Sequence, residues 1–197
     1  MNKRSSCRAW ALVSAGLWFA MTLLVSTRAQ AYGYEYEADY YLRQRFMVAL
    51  DVEYAAGTGN AWLERGGGAT LRIGAQINQD LVTLIPELTL GYHTFHCYFD
   101  WNNARLLTGM IGSRVRFFRF VEPGFYAHLG LGTVAGDWHF AWTGLAVDVG
   151  ATLDLTVIRI GRIALDLGFH VSWNRVFGGF GGGFSYVLSG AHAALVF

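Results

Sequence analysis

Apolar side chains alternate with small or polar ones along most of the chain after residue 31. The clearest run is 145–155, where the odd positions are aliphatic and the even positions are small or polar, among them Asp148 and Asp154. The run 163–174 repeats the pattern. A period of two belongs to a β-strand whose two faces differ. The pattern therefore predicts strands with one apolar and one polar face.

Segments with this alternation recur often enough to build a closed sheet. No segment after residue 31 has the unbroken apolar stretch of about 18 residues that a membrane helix requires. The remaining 197 − 31 = 166 residues leave roughly 20 for each of eight strands with its connection, which suits membrane strands of roughly 9–11 residues. We therefore predict one all-β domain over 45–197, a closed antiparallel up-and-down transmembrane β-barrel of about eight strands. The strands are expected near 45–56, 68–78, 86–98, 105–118, 125–135, 143–156, 162–174 and 185–197.

The first 31 residues have the pattern of a secretory signal peptide. Basic residues precede an apolar run over 9–25, and an Ala-x-Ala triplet ends at Ala31, where signal peptidase would cleave. An uncleaved transmembrane helix is the alternative, but a run of this length is at the short limit for crossing the hydrocarbon core. We therefore expect 1–31 to be removed as a signal peptide. The Tyr- and Glu-rich segment 32–44 is expected to be an N-terminal periplasmic segment or an extension of the first strand.

Removing the signal peptide changes the charge balance. Four of the 15 basic residues lie within 1–31, whereas all 14 acidic residues follow it, so the mature chain carries 11 − 14 = −3. Without a basic cluster, the chain lacks the electrostatic footprint of a nucleic-acid-binding protein. Cys97 is the one cysteine after the signal peptide, which excludes an internal disulfide. Stability is therefore expected to come from the sheet and its surroundings.

The connections between the predicted strands alternate in length. Bacterial outer-membrane barrels have short turns on the periplasmic side and longer loops outside. We therefore expect a cell outer-membrane protein with both termini in the periplasm. Pro86 and Pro123 are expected at strand starts, where a missing ladder donor costs little. Short turns are expected near 79–80, 122–124 and 159–161, and external loops at 57–67, 99–104, 136–142 and 175–184.

The chemistry of the two faces decides between a membrane barrel and a lipocalin-like barrel. In a lipocalin the apolar face lines the interior and the outer face is charged. Here the non-aliphatic face is built from glycine, threonine and a few charged residues, which is too little charge for a water-exposed exterior. The aliphatic face is therefore expected to contact outer-membrane lipids. Interfacial aromatic girdles are expected from Tyr92, Phe95, Tyr98, Phe99, Trp101, Trp138, Trp142, Trp173 and Phe177 on the external side and from Phe117, Phe120, Phe125 and Phe197 on the periplasmic side.

The strand starts and the last strand carry a resemblance to a known family. Residues 122–132 form a Gly-rich strand start, and 191–197 alternate and end the chain on Phe197. With the eight alternating segments, the chain resembles the OmpA-type transmembrane domain and the wider group of small outer-membrane β-barrel proteins over nearly all of 45–197. The resemblance implies that Leu195 and Phe197 form a C-terminal signal read by the barrel assembly machinery, with periplasmic chaperones as partners during biogenesis. Gly190 is the nearest match to the family's usual internal glycine, which stands two residues later.

The polar face is expected to fill the barrel interior. An eight-stranded barrel is just wide enough inside for side chains, and buried charges must be paired or hydrated. A salt-bridged plug is therefore favoured over a narrow porin-like channel. Simple hairpin registers give three expected pairs: Glu53 with Arg72, Glu87 with Arg116, and Asp148 with His170. The expected lumen charge network is Asp51, Glu53, Arg72, Glu87, Arg114, Arg116, Asp148, Asp154, Asp166 and His170, with His93 and His128 on the same face.

No complete catalytic or ligand-binding constellation stands out in the sequence. His170 and Ser172 share a strand face, as a base and a nucleophile can, and they distantly resemble the His-x-Ser of the PagL family of lipid A deacylases. The residues after Ser172 depart from that family's pattern, and the pair is expected to face inward. His93 and His96 should point to opposite faces and form no metal site by themselves. We therefore expect a non-enzymatic protein without a cofactor, in a structural or surface-interaction role, with a narrow channel and a lipid A-modifying enzyme as the alternatives.

Overall fold

A computed structural model of the protein describes residues 45–58, 63–79, 81–97, 103–118, 121–136, 141–178 and 183–197. Each strand is antiparallel to its sequence neighbours, and the last strand pairs with the first, so the sheet closes into a barrel. The predicted fold class is confirmed. No helix within these ranges is long and apolar enough to cross a membrane. The strands are β1 (Arg45–Thr58), β2 (Leu63–Gln79), β3 (Val82–Cys97), β4 (Asn103–Phe117), β5 (Val121–Gly136), β6 (Ala141–Ile160), β7 (Ile163–Val176) and β8 (Phe184–Val196).

The predicted signal peptide, 1–31, and the segment 32–44 lie outside the described residues. Strand β1 begins at Arg45, where the first predicted strand begins. The barrel closes where β1 pairs with β8. There the backbones of Phe46 and Phe197 exchange two hydrogen bonds, N to O, of 2.9 Å each. Their rings also stack, with centroids 6.5 Å apart. The β1–β8 seam is therefore closed up to the last residue of the chain.

All eight predicted strands form, but several connections are shorter than expected. The turn expected at 122–124 is wrong, because these residues lie in β5 and the connection falls at 118–120. The ladder between β4 and β5 ends at the Arg116–Gly124 pair, and Pro123 pairs with Leu153 of β6. A proline without a backbone donor is tolerated at such a place, so it does not mark the turn.

The expected loop 57–67 is also mostly strand. Gly66, Gly67 and Gly68 belong to β2 and pair with both neighbouring strands. A Cβ atom at Gly66 would lie 1.8 Å from the backbone oxygen of Thr94, and one at Gly68 would lie 2.2 Å from that of Tyr92. These glycines therefore serve close strand approach instead of loop flexibility.

Pro86 does not lie at a strand start, because β3 begins four residues earlier at Val82. The β2–β3 register runs to Gly74–Glu87 and resumes at Ile77–Leu84, so the ladder is interrupted at Pro86. On its other side Pro86 pairs with Ser113 of β4. The proline is therefore accommodated by a local break in the ladder.

The apolar face points outward, the reverse of a lipocalin. Leu88, Ile111 and Leu129 lie side by side on β3, β4 and β5, and Ile111 and Leu129 are 67% and 52% exposed. The alternate residues of these strands are buried inside the barrel. Similar exposed aliphatic side chains occur on all eight strands. The sheet therefore presents a continuous apolar surface to its surroundings.

Several aromatic residues expected at the interfaces do face outward. Tyr92, Trp173, Phe177, Phe125 and Phe197 are exposed, and Phe117 is half-buried. The expectation for Phe95 is wrong, because it is only 1% exposed and lies inside the barrel with the same parity as His93. Trp142 is half-buried and packs against the interior as well. The remaining expected girdle residues, Tyr98, Phe99, Trp101, Phe120 and Trp138, lie outside the described residues.

The lumen has an apolar cluster at each end and a charged layer between them, so it is not polar throughout. We call the end with the connections after β1, β3, β5 and β7 the loop end, and the end with the two chain termini of the barrel the turn end. The loop-end cluster consists of Ala55, Phe95, Ala104, Leu106, Met110, Val134, Ala146, Val176, Phe184, Tyr186 and Leu188. The turn-end cluster consists of Met47, Ala49, Ile85, Ala164, Ala194 and Val196.

Candidate functional site

The charged layer of the lumen is the candidate site, since it gathers seven of the eight carboxylates and four of the five histidines of the described residues. Within the described residues, seven carboxylates and four arginines are buried there, an excess of three negative charges, together with four histidines. Buried charges are stable only when paired and hydrogen-bonded. The members are Asp51, Glu53, Glu87, Glu122, Asp148, Asp154, Asp166, Arg45, Arg72, Arg114, Arg116, His93, His128, His170 and His192.

Arg72 lies at the centre of the layer and joins two carboxylates. Its Nε and Nη2 donate to the two carboxylate oxygens of Asp51 at 2.7 and 2.8 Å, and its Nη1 lies 3.5 Å from Glu87. The expected pair of Arg72 with Glu53 is wrong. Asp51 pairs with Thr70, so Arg72 is its diagonal neighbour on the same face, whereas Glu53 lies opposite Gly68.

Glu87 joins two further strands. Its Oε1 accepts hydrogen bonds from Arg114 Nε at 3.2 Å and from His128 Nε2 at 2.8 Å. The expected pair with Arg116 is wrong, because Glu87 lies opposite Gly112, which brings Arg114 diagonally beside it. The other ring nitrogen of His128, Nδ1, donates a hydrogen bond to Asp148 at 2.9 Å. The His128 ring therefore links carboxylates of β3 and β6.

Arg116 is the centre of a second group nearer the turn end. Its guanidinium lies 3.2 Å from Glu122, 3.2 Å from Asp166 and 3.5 Å from Asp154. The three acids come from β5, β6 and β7. Arg116 is fully buried, so this group ties four neighbouring strands together from the inside.

A recurring arrangement joins carboxylates to histidines across an intervening strand. Glu53 on β1 and His93 on β3 both pair with Gly68 of β2, and their side chains meet above this glycine at 2.6 Å. The same arrangement occurs three more times. Glu87 and His128 meet over Gly112 at 2.8 Å. Asp154 and His192 meet over Gly168 at 2.5 Å, and Glu53 and His170 meet over Gly190 at 2.9 Å. We call these four contacts the acid–glycine–histidine bridges.

The bridges explain why the third expected pair, Asp148 with His170, does not form. His170 lies opposite Thr152 of β6 and reaches Glu53 across Gly190 on the other side. Asp148 lies opposite His128 and bonds to it directly. The structure thus places all ten expected network residues in one layer but joins them in other pairs.

Three members of the layer, Arg45, Glu122 and His192, were missed by the sequence reasoning. Glu122 was placed in a turn, but it is buried and bonds Arg116 at 3.2 Å. His192 was not assigned to the lumen, but it is buried and bonds Asp154. The alternation of β8 could have found His192, since Leu195 and Phe197 have the opposite parity and face outward.

His170 and Ser172, which resemble a base and a nucleophile in the sequence, are both buried in the lumen. His170 is bound to Glu53 through Nε2, and the Ser172 hydroxyl accepts a hydrogen bond from Asn174 Nδ2 at 2.7 Å. Their hydrogen-bonding groups are therefore directed at other partners. Both side chains point away from the outer face of the barrel.

The charged layer fills the lumen almost completely. A cavity of about 20 Å³ lies among Asp51, Arg72, His128 and His170, and another of about 20 Å³ lies near Glu122 and the turn end. A cavity of this size holds roughly one water molecule. The side chains around these two cavities thus leave little free space in the layer.

A closed eight-stranded barrel with an apolar exterior and an ion-paired interior has the architecture of the small outer-membrane β-barrel proteins. The structure is similar to that of Neisserial surface protein A, with a TM-score of 0.52 and 15% identity over 77% of this chain and 96% of that one. It also matches Ail of Yersinia pestis (TM-score 0.45, 11% identity, 78% and 97% covered) and the outer membrane enzyme PagL (0.45, 12%, 74% and 97%).

These likenesses concern the fold, because the identities are low. No family model and no curated protein matches the sequence. The resemblance to OmpA-type barrels is confirmed at the level of the fold.

Proposed function

We propose that the protein is an outer-membrane barrel with a structural or surface-interaction role, in which the lumen is a sealed plug and the loop end meets other molecules. The observation that carries this proposal is the sidedness of the sheet. Large apolar side chains cover the outside while charged groups are paired inside. In hydrocarbon, a sheet satisfies every backbone donor and acceptor only when it is closed.

The outer face of the barrel carries apolar side chains from strand to strand. Leu88, Ile111 and Leu129 form a row across three strands near mid-barrel, and Val147 continues it on β6. A surface of this kind is costly in water at about 25 cal/mol per Å² of apolar area, whereas lipid tails cover it without that cost. Outer-membrane lipids are therefore the partner of this face.

The proposed orientation places the termini of the barrel in the periplasm and the loop end outside. The turn-end connections are short in comparison, as they are on the periplasmic side of outer-membrane barrels. In this orientation Leu195 and Phe197 lie at the periplasmic end, where the barrel assembly machinery and periplasmic chaperones would meet the last strand. Both residues are exposed on the outer face.

Orientation is tested by labelling intact cells with a membrane-impermeant maleimide. In a Cys97→Ser background, a cysteine introduced between β5 and β6 should be labelled, while one introduced at 118–120 should be labelled only after the cells are lysed. The reverse pattern would contradict the orientation. The two positions belong to opposite ends of β5, so each is the control for the other.

The structural role is tested against a narrow channel by planar-bilayer recordings of the purified barrel. The proposal expects no stepwise conductance, since both apolar clusters and the charged layer block the lumen. Insertion is verified by a mobility shift between boiled and unboiled samples of the same preparation. Uniform conductance steps from the inserted wild-type barrel would overturn the sealed lumen and favour the channel.

A further inference from the structure

Three side chains on three adjacent strands converge within the charged layer. They are Asp51 on β1, His192 on β8 and His170 on β7, and one candidate ligand atom from each lies within 4.8 Å of the other two. Asp51 pairs directly with His192 in the β1–β8 ladder. His170 pairs with Gly190, two residues before His192, and so faces the same side. All three side chains are buried.

His192 has an unused ring nitrogen aimed into this cluster. Its Nε2 is bonded to Asp154, but its Nδ1 has no hydrogen-bond partner although the residue is only 4% exposed. The nearest carboxylate oxygen, Asp51 Oδ1, is 3.8 Å away, too far for a hydrogen bond. Leaving a buried polar atom unpaired is costly, so this nitrogen calls for a ligand.

The hydrogen bonds of both histidines match those of metal ligands. A ligating histidine usually donates its other ring N–H to a carboxylate, which fixes the tautomer and orients the ring. His192 has Asp154 in this position, and His170 has Glu53 at 2.9 Å from its Nε2. Because Nε2 donates its proton in each ring, Nδ1 is the nitrogen that carries the lone pair, and in His192 this Nδ1 has no hydrogen-bond partner. Both carboxylates are placed by acid–glycine–histidine bridges.

The local charge also suits a cation. Asp51, Glu53 and Asp154 surround the two histidine rings, and Arg72 is bonded to Asp51. Both oxygens of Asp51 accept from Arg72, but each carboxylate oxygen has a second lone pair. The carboxylate can therefore bind Arg72 on one side and an ion on the other.

We propose that Asp51, His170 and His192 bind a divalent transition-metal ion, for which zinc is the best match. Two imidazole nitrogens and a carboxylate oxygen are ordinary zinc ligands, and a water completes the tetrahedral set. A cavity lined by Asp51 and His170, but not by His192, has room for roughly one water molecule beside the site. The ion joins β7, β8 and β1, and thus lies across the seam at which the barrel closes.

The experiment uses the refolded full barrel in detergent, incubated with zinc chloride, desalted and analysed for metal by mass spectrometry. We expect about one zinc ion per wild-type barrel. The His192→Gln and His170→Gln barrels should each retain at least tenfold less zinc. His128→Gln is the matched control and should keep the zinc. Its ring forms the same kind of bridge, but both of its nitrogens are already bonded to carboxylates.

A second measurement does not depend on the variants. Cobalt added to the wild-type barrel should give the visible absorption of a tetrahedral ion, and zinc should raise the thermal unfolding midpoint until EDTA reverses the shift. Heat-modifiability on a gel verifies that each variant is folded. A folded wild-type barrel that retains no zinc, or a folded His192→Gln barrel that retains as much as wild type, would overturn the proposal.

Discussion

Glu53 and His93 lie on β1 and β3, two strands apart, and their carboxylate and imidazole meet at 2.6 Å directly above Gly68 of the strand between them. The glycine is what permits the contact, because a Cβ there would lie 2.5 Å from His93 Cδ2. At Gly112, Gly168 and Gly190 a Cβ would likewise lie 3.0 Å or less from the bridging histidine. These four glycines therefore leave the space in which the carboxylates and the histidine rings meet.

Replacing Gly68 by alanine should destabilise the barrel by about 1–3 kcal/mol, the usual cost of overpacking. The new methyl group would meet the backbone oxygen of Tyr92 as well as the His93 ring. Urea unfolding followed by tryptophan fluorescence measures the loss.

Gly109→Ala is the control for this substitution. Gly109 also lies in a strand, but a Cβ there meets only Leu90 Cδ2, at an ordinary 3.6 Å. We expect its stability to be unchanged or slightly raised, since glycine is itself unfavourable within strands. Equal losses for the two variants would show that the bridge is not what Gly68 serves.

Arg72→Met should cost about 3–5 kcal/mol, because it leaves Asp51 and Glu87 as buried carboxylates without their shared cation. The same denaturant titration measures this change. Arg105→Met is the control, because Arg105 is exposed on β4. Its free energy of unfolding should stay within about 0.5 kcal/mol of wild type. A small effect at Arg72 would mean that the network contributes little to stability.

A charge placed on the outer face should be costly in proportion to its depth in the membrane. Ile111→Arg, near mid-barrel, should destabilise the barrel folded in lipid vesicles by about 2–4 kcal/mol, whereas Ile160→Arg, beside the β6–β7 turn, should cost about 0–1 kcal/mol. Both isoleucines are highly exposed, at 67% and 74%, so burial by protein does not distinguish them. Similar costs at both positions would argue against a bilayer around this face.

Deleting Phe197 should lower the amount of the protein assembled in cells more than it affects folding in detergent. The residue stacks on Phe46 at the edge of the seam, so the truncated chain should still refold in detergent with slightly reduced stability. In cells, its amount in the outer membrane should fall several-fold if the terminal aromatic is read by the assembly machinery. Normal cellular levels would assign Phe197 a packing role only.

The period-two pattern predicted the fold because burial in a closed sheet follows parity alone, and parity survives errors of several residues in strand bounds. The ion pairs could not be predicted in the same way, because they depend on register. The β4–β5 connection lies at 118–120 and not at the expected 122–124. Glu122 therefore belongs to β5 and forms an ion pair with Arg116. The bridges across a third strand require positions on three strands at once, which a pairwise hairpin rule does not provide.

The apolar ends of the lumen were missed for a different reason. In the first half of β8 the apolar residues Phe184, Tyr186 and Leu188 face inward while Ser185 and Ser189 lie on the other face. In this half of β8 the largest apolar side chains thus lie inside the barrel, whereas Leu195 in the second half lies outside. A change of this kind is expected where the outside of a strand leaves hydrocarbon, and it could be found in the sequence only after the register was known.

The central claim, a closed barrel in an outer membrane, is tested most directly by fractionating cells and running the outer-membrane fraction on a detergent gel with and without boiling. We expect the protein in this fraction, and we expect the unboiled form to migrate differently from the boiled one, because the closed hydrogen-bonded sheet resists the detergent. A protein recovered from the periplasm, with the same mobility before and after boiling, would contradict it.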